Sequence, residues 1–210
     1  RELLGINLMG SINLVKAAVP GMKKAAAEDG LARSIAFTTS EGGQVGVYGY
    51  ATYCAGNFAI RGFAEAMQME LISDNIHMSL ILPSETDTPG RAAEVNTRPE
   101  LSNIISSSSG EMMKPDDVAE IALNGIKAGK FTISVTFLGS IMSLGTAGFS
   151  PQRSSVRAFA EVMFAGFMRF LALYYLGSWY RLIEDYNAKK KKEWIQKDTE
   201  ELRRGLLDHA

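Results

Sequence analysis

Residues 34–72 have the sequence SIAFTTSEGGQVGVYGYATYCAGNFAIRGFAEAMQMELI, in which the local pattern changes twice. Ser34–Thr39 is a short, mostly apolar run with β-forming residues, which predicts a buried strand. A glycine-rich turn follows at residues 41–46. Thr52–Ile72 is predicted to be a long helix, because its apolar residues recur at helical spacing. That apolar stripe contains Ile60, Ala64, Met67 and Leu71.

The flanking sequence continues this alternation of helices and strands. We predict a helix over residues 2–19 that ends near Pro20, a strand at Ile76–Leu82, an irregular segment over 84–113, a helix that begins at Pro115 and a strand at Phe131–Leu138. Such alternation is typical of a parallel sheet with right-handed crossovers. The predicted fold class is therefore α/β, the C-terminal part of a Rossmann-type doubly wound parallel sheet. Three strands are half of such a sheet, so we expect the other half upstream of Arg1.

Composition excludes several classes of function. The chain has 210 residues, 46% of them hydrophobic, which is enough to form one hydrophobic core. Its formal net charge of -1 gives no indication of a basic face that could bind nucleic acid. The single cysteine, Cys54, excludes an internal disulfide framework. His77 and His209 lie far apart in the sequence and make a poor ligand set with one cysteine, so we expect no metal.

The C-terminal third differs in character from the α/β part. Phe159–Tyr180 is strongly apolar but contains Glu161 and Arg169. A span needs about 20 apolar residues, and a charge at mid-membrane costs roughly 2.5–3.5 kcal/mol. Three interpretations stay open: a buried core or dimer helix, a helix in the membrane plane or re-entrant, and a true span.

The predicted organisation has three parts. We predict an incomplete Rossmann domain over residues 1–140, a hydrophobic membrane-associating helical region over 141–182 and a charged helical tail over 183–210. Lys189–Lys192 in that tail could meet anionic lipid or lie on a solvated helix face.

Ser40 and Tyr53 are the strongest candidates for chemistry. Ser40 ends the predicted strand, and Tyr53 lies in the first turn of the predicted helix, so both should lie at the carboxyl edge of the sheet, where ligands bind. A hydroxyl and a phenol that converge there can bind a carbonyl oxygen and protonate it. Serine and tyrosine are common residues, so the spacing alone also fits a capping serine and an ordinary core tyrosine.

Neighbouring residues make the pattern more specific. The strand, turn and helix around Ser40 and Tyr53 resemble the active-site block of the short-chain dehydrogenase/reductase family. Asn7-Leu8-Met9-Gly10 is similar to the Asn-x-x-Gly motif of that family, and Pro83–Thr88 is similar to its Pro-Gly-x-x-x-Thr motif. The resemblance implies an oxidoreductase with Asn7, Ser40 and Tyr53 as catalytic residues. It also implies contacts to a nicotinamide cofactor from Tyr53, Asn57, Pro83, Thr86 and Thr88.

Three further stretches resemble one branch of that family, which acts in sphingolipid synthesis. They are Phe58–Glu70, Thr86–Gly90 and Leu173–Ser178. This resemblance implies NADPH-dependent reduction of a long-chain keto-base lipid, 3-ketodihydrosphingosine, at the cytosolic face of the endoplasmic reticulum membrane. It also implies a homodimer that uses helices 2–19 and 52–72.

The sequence departs from the family at residue 57. The family has a lysine four residues after the tyrosine, and here that residue is Asn57, which could keep a ribose hydrogen bond but supplies no charge. Loss of one preorganised charge often costs on the order of 10²–10³ in rate. We therefore expect an impaired reductase. A catalytically inactive paralogue that binds a partner or lipid at the membrane, and a reductase of another lipid ketone, stay open as alternatives.

A second departure concerns the cofactor phosphates. In this fold a glycine-rich turn between the first strand and the first helix holds the pyrophosphate. The sequence shows no such turn in the right context, because the Gly42-Gly43 turn follows the serine strand. The NADPH expectation therefore rests on the resemblance alone.

Overall fold

Strand β2 (Ile76–Leu82) lies at the centre of a three-stranded parallel sheet in this computed structural model, which describes residues 4–107 and 112–207. Strand β1 (Arg33–Thr38) and strand β3 (Thr132–Ser134) flank it in the order β1-β2-β3. Phe37 aligns with Leu80, which aligns with Thr132 on the other side. The prediction of a parallel α/β sheet is confirmed. The predicted helix start at residue 2, Ser108 and Ser109 of the serine run, and His209 lie outside the described residues.

The apolar character of β2 explains its central place. Ile76, Met78 and Leu80 are at most 1% exposed, as expected for a parallel strand covered on both faces. The side-chain oxygen of Gln68, which lies in the helix over residues 51–71, accepts a hydrogen bond from the backbone N–H of Met78 at 2.8 Å. This side chain takes the place of a strand partner, because β3 begins only opposite Leu80.

The first helix continues beyond its predicted end. A π-helical turn (Gly5–Gly10) leads into helix α1 (Ser11–Asp29), which includes Pro20. Proline removes one backbone hydrogen bond and usually breaks a helix, but Pro20 is exposed, so water can hydrate the carbonyl that loses its partner. The predicted end near Pro20 is therefore wrong. The helix ends at Gly30, whose φ of 70° suits the left-handed cap.

Helix α2 (Ala51–Leu71) carries the tyrosine predicted for the site and packs over the sheet. Its buried stripe confirms Ile60, Ala64 and Leu71 as core residues. They share one cluster with buried side chains of α1, β1 and β2, among them Val15, Phe37, Met78 and Leu80. The long helix is thus fixed mainly against β2.

The segment after β2 is more ordered than predicted. Helices α3 (Pro89–Val95) and α4 (Glu100–Ser107) occupy the stretch that we expected to be irregular. The hydroxyl oxygen of Thr88 accepts a hydrogen bond from the N–H of Arg91 and caps the start of α3. This helix is short and lies close to the next proline, so its sequence shows no helical periodicity. Helix α5 (Pro115–Lys127) begins with Pro115 in its first turn, as predicted.

The third predicted strand is shorter than expected. Only Thr132–Ser134 is strand, and helix α6 (Phe137–Gly145) begins where the β-branched run suggested continued strand. The cause is Thr136, whose hydroxyl oxygen accepts the N–H of Gly139 at 2.9 Å and caps the helix. The predicted strand over Phe131–Leu138 is therefore correct only in its first half.

Helix α7 (Ser155–Leu207) contains the apolar C-terminal stretch. The chain divides into two compact units, Arg1–Arg169 and Phe170–Ala210. Among the described residues, no helix combines the length and the apolarity that crossing a membrane requires. The three-part organisation predicted above stays a prediction.

Candidate active site

Ser40 lies just beyond the carboxyl end of β1. Its backbone is fully extended, with φ -162° and ψ 164°, and its Oγ accepts the N–H of Gly42 at 3.2 Å. The neighbouring residues are hydrogen-bonded to β2 and to the residue that follows it. The backbone N–H of Thr39 donates to the carbonyl oxygen of Ile81 at 2.9 Å, and that of Glu41 donates to the carbonyl oxygen of Pro83 at 3.2 Å. Ser40 is thus held at the sheet edge predicted from its position in the sequence.

The glycine turn lies directly against the helix that carries Tyr53. A methyl group added at Gly42 would come within 3.3 Å of Cε1 of Tyr53, and one added at Gly43 would come within 3.3 Å of Cβ of Asn57. The two glycines allow this approach because they have no side chain. The ring of Tyr50 packs edge-on against that of Tyr53, with centroids 5.8 Å apart, and holds it from another side.

Tyr53 lines two cavities. The first, which we call the Ser40 cavity, has a volume of about 380 Å³. Its lining includes Ser40, Tyr53, Pro83, Thr86 and Thr88. The second, which we call the Asn7 cavity, has a volume of about 430 Å³ and runs along β1. Its lining includes Asn7, Tyr53 and Asn57.

The predicted site residues therefore fall into two groups that meet at Tyr53. Ser40, Tyr53 and the three residues of the Pro83–Thr88 loop share one cavity. Asn7, which is exposed in the π-helical turn, lies with Asn57 in the other. Asn7 and Ser40 do not line the same cavity, and their catalytic roles stay predictions.

Asn57 is buried, with 6% of its surface exposed, and its side chain is engaged within its own helix. Its Nδ2 donates to the carbonyl oxygen of Tyr53 at 2.9 Å. Cys54, beside Tyr53, is also 6% exposed. A buried thiol in such a place packs as a small apolar side chain.

The Pro83–Thr88 loop contributes hydroxyl groups to the Ser40 cavity. Thr86 Oγ1 donates to the carbonyl of Ser84 at 3.1 Å. Within the described residues the buried Oγ of Ser84 has no hydrogen-bond partner, and Ser84 lines the Ser40 cavity. Backbone pairing with Met113 holds this loop, since Asp87 N donates to Met113 O and Met113 N donates to Glu85 O, both at 2.9 Å.

Glu85 is the centre of a polar cluster that sequence reasoning missed. It accepts from Arg91 Nε and from Arg98 Nη1, both at 2.8 Å, and from the hydroxyl of Ser106. Burial opposes ionisation, but these hydrogen bonds outweigh it and lower the pKa of Glu85 to about 2. The cluster joins residues up to 21 positions apart in the segment that contains α3 and α4, which the sequence predicted to be irregular, so only its alternating charges could have indicated it.

Tyr50 and Glu94 extend this cluster towards the mouth of the Ser40 cavity. Arg98 Nη1 donates to Tyr50 Oη at 3.0 Å, while the phenol of Tyr50 donates to the exposed Glu94. Burial, together with the bond to Glu94, raises the pKa of Tyr50 above its ordinary value.

Glu41 is the second group that the sequence did not single out. It follows Ser40 and lines the same cavity. Thr136 donates its hydroxyl to Glu41 Oε1 at 3.2 Å, and burial raises the pKa of the Glu41 carboxyl above its ordinary value. Among the described residues no three His, Cys, Asp or Glu side chains lie together as metal ligands, and the expectation of no metal stays a prediction.

Comparison with known proteins decides the family. Residues 1–99 match the family model described as short chain dehydrogenase. These residues belong to the short-chain dehydrogenase family. The chain is 49% identical to 3-dehydrosphinganine reductase TSC10A of Arabidopsis thaliana, over 90% of this chain and 57% of the relative. It is 35% identical to the 3-ketodihydrosphingosine reductase of Mus musculus, over 94% of this chain and 58% of the relative. The chain thus spans a little over half the length of these relatives.

Solved structures give the same fold. A short-chain dehydrogenase from Streptomyces avermitilis has a TM-score of 0.55 and 17% identity, covering 81% of this chain and 62% of that one. One from Burkholderia cenocepacia in complex with NADP has a TM-score of 0.54 and 17% identity, covering 70% and 55%. These likenesses show the fold, and together with the family match they confirm the resemblance found in the sequence.

Proposed function

We propose that this short-chain dehydrogenase acts in the reduction of a long-chain keto base, 3-ketodihydrosphingosine, with NADPH, and that Asn57 leaves its rate strongly reduced. One observation carries the chemical part of the proposal: Tyr53 lines the Ser40 cavity together with Ser40 and the Pro83–Thr88 loop. The substrate part is supported by the relatives, which are named 3-dehydrosphinganine and 3-ketodihydrosphingosine reductases.

Ser40 and Tyr53 have the properties needed to bind a ketone oxygen. Because the N–H of Gly42 already donates to Ser40 Oγ, the hydroxyl proton of Ser40 is available for the ketone. Tyr53 then acts as the acid that gives its proton to the same oxygen. Asn7 lies in the cavity on the other side of Tyr53, which suits a role in replacing that proton from solvent.

The residues present fit the nicotinamide end of the cofactor. The buried hydroxyl of Ser84, unpaired among the described residues, can donate to or accept from a carboxamide. Thr86 and Thr88 line the same cavity. The bound cofactor would supply the hydride, while Pro83, Ser84, Thr86 and Thr88 would orient its carboxamide and ribose beside Ser40 and Tyr53.

The assay for this proposal follows NADPH oxidation in the presence of 3-ketodihydrosphingosine. We expect a low rate that depends on the keto base and is abolished in Tyr53→Phe. Tyr48→Phe is the matched control, because Tyr48 is 40% exposed and lies outside the lining of both cavities. A rate that survives in Tyr53→Phe, or a substrate profile that favours an unrelated lipid ketone, would contradict the proposal.

One observation favours a second function, that of an inactive paralogue that binds a lipid. Asn57 is buried and hydrogen-bonded to its own helix, so no cation accompanies Tyr53 from that position. Such a protein would bind the keto base without consuming NADPH, and restoring lysine at 57 would not produce a rate.

The proposal includes association with the endoplasmic reticulum membrane, with the active site facing the cytosol. Large apolar side chains of α7 are exposed on both sides of Arg169, and they suit a helix that lies in the membrane plane. They include Val156, Phe159, Val162, Phe164 and Phe167 before it and Phe170, Leu173, Tyr174 and Tyr180 after it. Lys189–Lys192 would meet anionic lipid.

Vesicle flotation tests the membrane part. We expect the protein to float with neutral vesicles and more strongly with anionic ones. The double variant with Phe159→Ser and Phe164→Ser should bind neutral and anionic vesicles more weakly. Replacing Lys189–Lys192 with glutamine should remove only the preference for anionic vesicles. Protein that stays in the dense fraction under all conditions would contradict membrane association. The expected homodimer stays a prediction, which light scattering of the purified protein can check.

A further inference from the structure

The Ser40 cavity carries more acid than base. Three carboxylate side chains and two guanidinium side chains line it. They are Glu41, Glu85 and Glu94, and Arg91 and Arg98. A cavity with this excess of negative charge, beside hydroxyls that can hold a ketone, suits a ligand that carries a positive charge close to its carbonyl group.

Two of the three carboxylates are already engaged. Both arginines are bound to Glu85, and they neutralise it. Glu94 accepts the phenol of Tyr50 and is exposed at the mouth of the cavity. Neither is well placed to receive a cation next to Ser40.

Glu41 differs from both. The carboxylate of Glu41 accepts a hydrogen bond from the neutral hydroxyl of Thr136. Among the described residues, no lysine, arginine or histidine forms an ion pair with it. It directly follows Ser40, so their Cα atoms lie about 3.8 Å apart. Glu41 and Ser40 also line the same cavity, so a cation next to a ketone bound by Ser40 would share that cavity with this carboxylate.

We infer that Glu41 is a specificity-determining residue that receives the ammonium group of the keto base. This rests on the function proposed above. In that substrate the amine is on the carbon next to the ketone, so a ketone held by Ser40 and Tyr53 brings the ammonium group to Glu41. An unpaired, half-buried carboxylate gains a charge-assisted hydrogen bond from such a group and discriminates against lipids without it. Glu41 touches neither the proton nor the hydride that is transferred.

A purely structural role of Glu41 has to be separated from this one. Glu41→Gln keeps the oxygen that accepts from Thr136 but removes the charge. Thr136→Val removes that hydrogen bond, and with it the cap of α6, but keeps the charge of Glu41. Glu94→Gln removes the other carboxylate of the cavity that forms no ion pair with an arginine among the described residues.

The experiment measures equilibrium binding of sphinganine and of the matching long-chain 1,3-diol that lacks the amine, by calorimetry of the full chain in non-ionic detergent. The unmodified protein and the Thr136→Val and Glu94→Gln variants should bind the amine about 10-fold or more tightly than the diol. Glu41→Gln should bind the two with affinities within about 3-fold, mainly by losing affinity for the amine.

Three results would overturn the inference: no preference for the amine in the unmodified protein, a preference that survives Glu41→Gln, or one that disappears in Glu94→Gln instead. Because this measurement needs no turnover, a protein that prefers the amine through Glu41 but never oxidises NADPH would refute the reductase function alone. A reductase whose amine preference is independent of Glu41 would refute only the inference.

Discussion

The side-chain amide of Asn57 donates a hydrogen bond to the carbonyl oxygen of Tyr53, one turn earlier in helix α2, at 2.9 Å. This contact keeps residue 57 beside Tyr53 but directs a neutral group at the backbone instead of a cation at the phenol. The same residue lines the Asn7 cavity, which has room for a longer side chain. Position 57, where the family has a lysine, therefore holds a neutral side chain next to this cavity.

Asn57→Lys should raise the rate of NADPH oxidation with 3-ketodihydrosphingosine by about 10²–10³, because an ammonium group would stabilise the negative charge that develops on Tyr53 as its proton leaves. Steady-state kinetics measures this, and the gain should appear in kcat. Asn57→Met adds comparable length without charge and is the matched control. Equal rates for the lysine variant, the methionine variant and the unmodified protein would contradict the explanation.

Gly42→Ala should lower kcat by roughly 10-fold or more with little change in the temperature of unfolding. Its methyl group would lie 3.3 Å from Cε1 of Tyr53 and 3.5 Å from Sγ of Cys54, so it would displace the ring from its position beside Ser40. Gly46→Ala is the control in the same turn, since no atom of the described part of the chain lies within 4 Å of an added methyl group there. If both variants keep full activity, the contact between glycine turn and tyrosine does not position the phenol.

Gly125→Ala should lower the free energy of unfolding by about 1–3 kcal/mol. Helix α5 approaches β3 so closely at this residue that an added methyl group would lie 2.7 Å from Cδ1 and Cγ1 of the buried Ile133. Gly62→Ala, in an exposed turn of α2 with open space around it, should instead gain up to about 1 kcal/mol from helix propensity. Urea unfolding of the two variants measures the difference, and a stable Gly125→Ala would show that α5 can shift.

The sequence was sufficient for those parts of the fold whose residues act on near neighbours. β2 has the predicted bounds because it is a mostly apolar run that ends at Pro83. Ser40 and Tyr53 share a cavity because strand ends in a parallel sheet lie at one edge. The errors come from single contacts: the Thr136 hydroxyl ends β3, and the exposure of Pro20 lets α1 continue.

The polar lining of the Ser40 cavity required the structure. The segment that contains α3 and α4 brings Glu85, Arg98 and Ser106 together. The sequence predicted this segment to be irregular, so it gave no indication of these contacts. Glu41 was part of a glycine-rich turn in the sequence, and only the structure shows that, among the described residues, it forms no ion pair with a basic side chain. Side-chain pairing across a loop is set by tertiary contacts, which a local pattern does not contain.

Glu85→Gln should make stability less sensitive to acid. The pKa of Glu85 is held at about 2 in the folded protein, well below the ordinary value of about 4.5 in the unfolded chain. A carboxyl group with a lowered folded-state pKa adds stability that is fully present above the unfolded-state pKa. That stability is lost as the pH falls from about 4.5 towards 2. The glutamine variant lacks it throughout, so it should be less stable near pH 7.

The measurement is the free energy of unfolding in urea from about pH 7 down to about pH 3. The unmodified protein should lose its advantage over Glu85→Gln, on the order of 1–3 kcal/mol near neutrality, as the pH falls through that window. Glu120→Gln, on the exposed surface of α5, should follow the unmodified protein at every pH. An advantage that is constant with pH would mean that the two arginines hold the neutral amide as well as the carboxylate, and that charge does not anchor this loop.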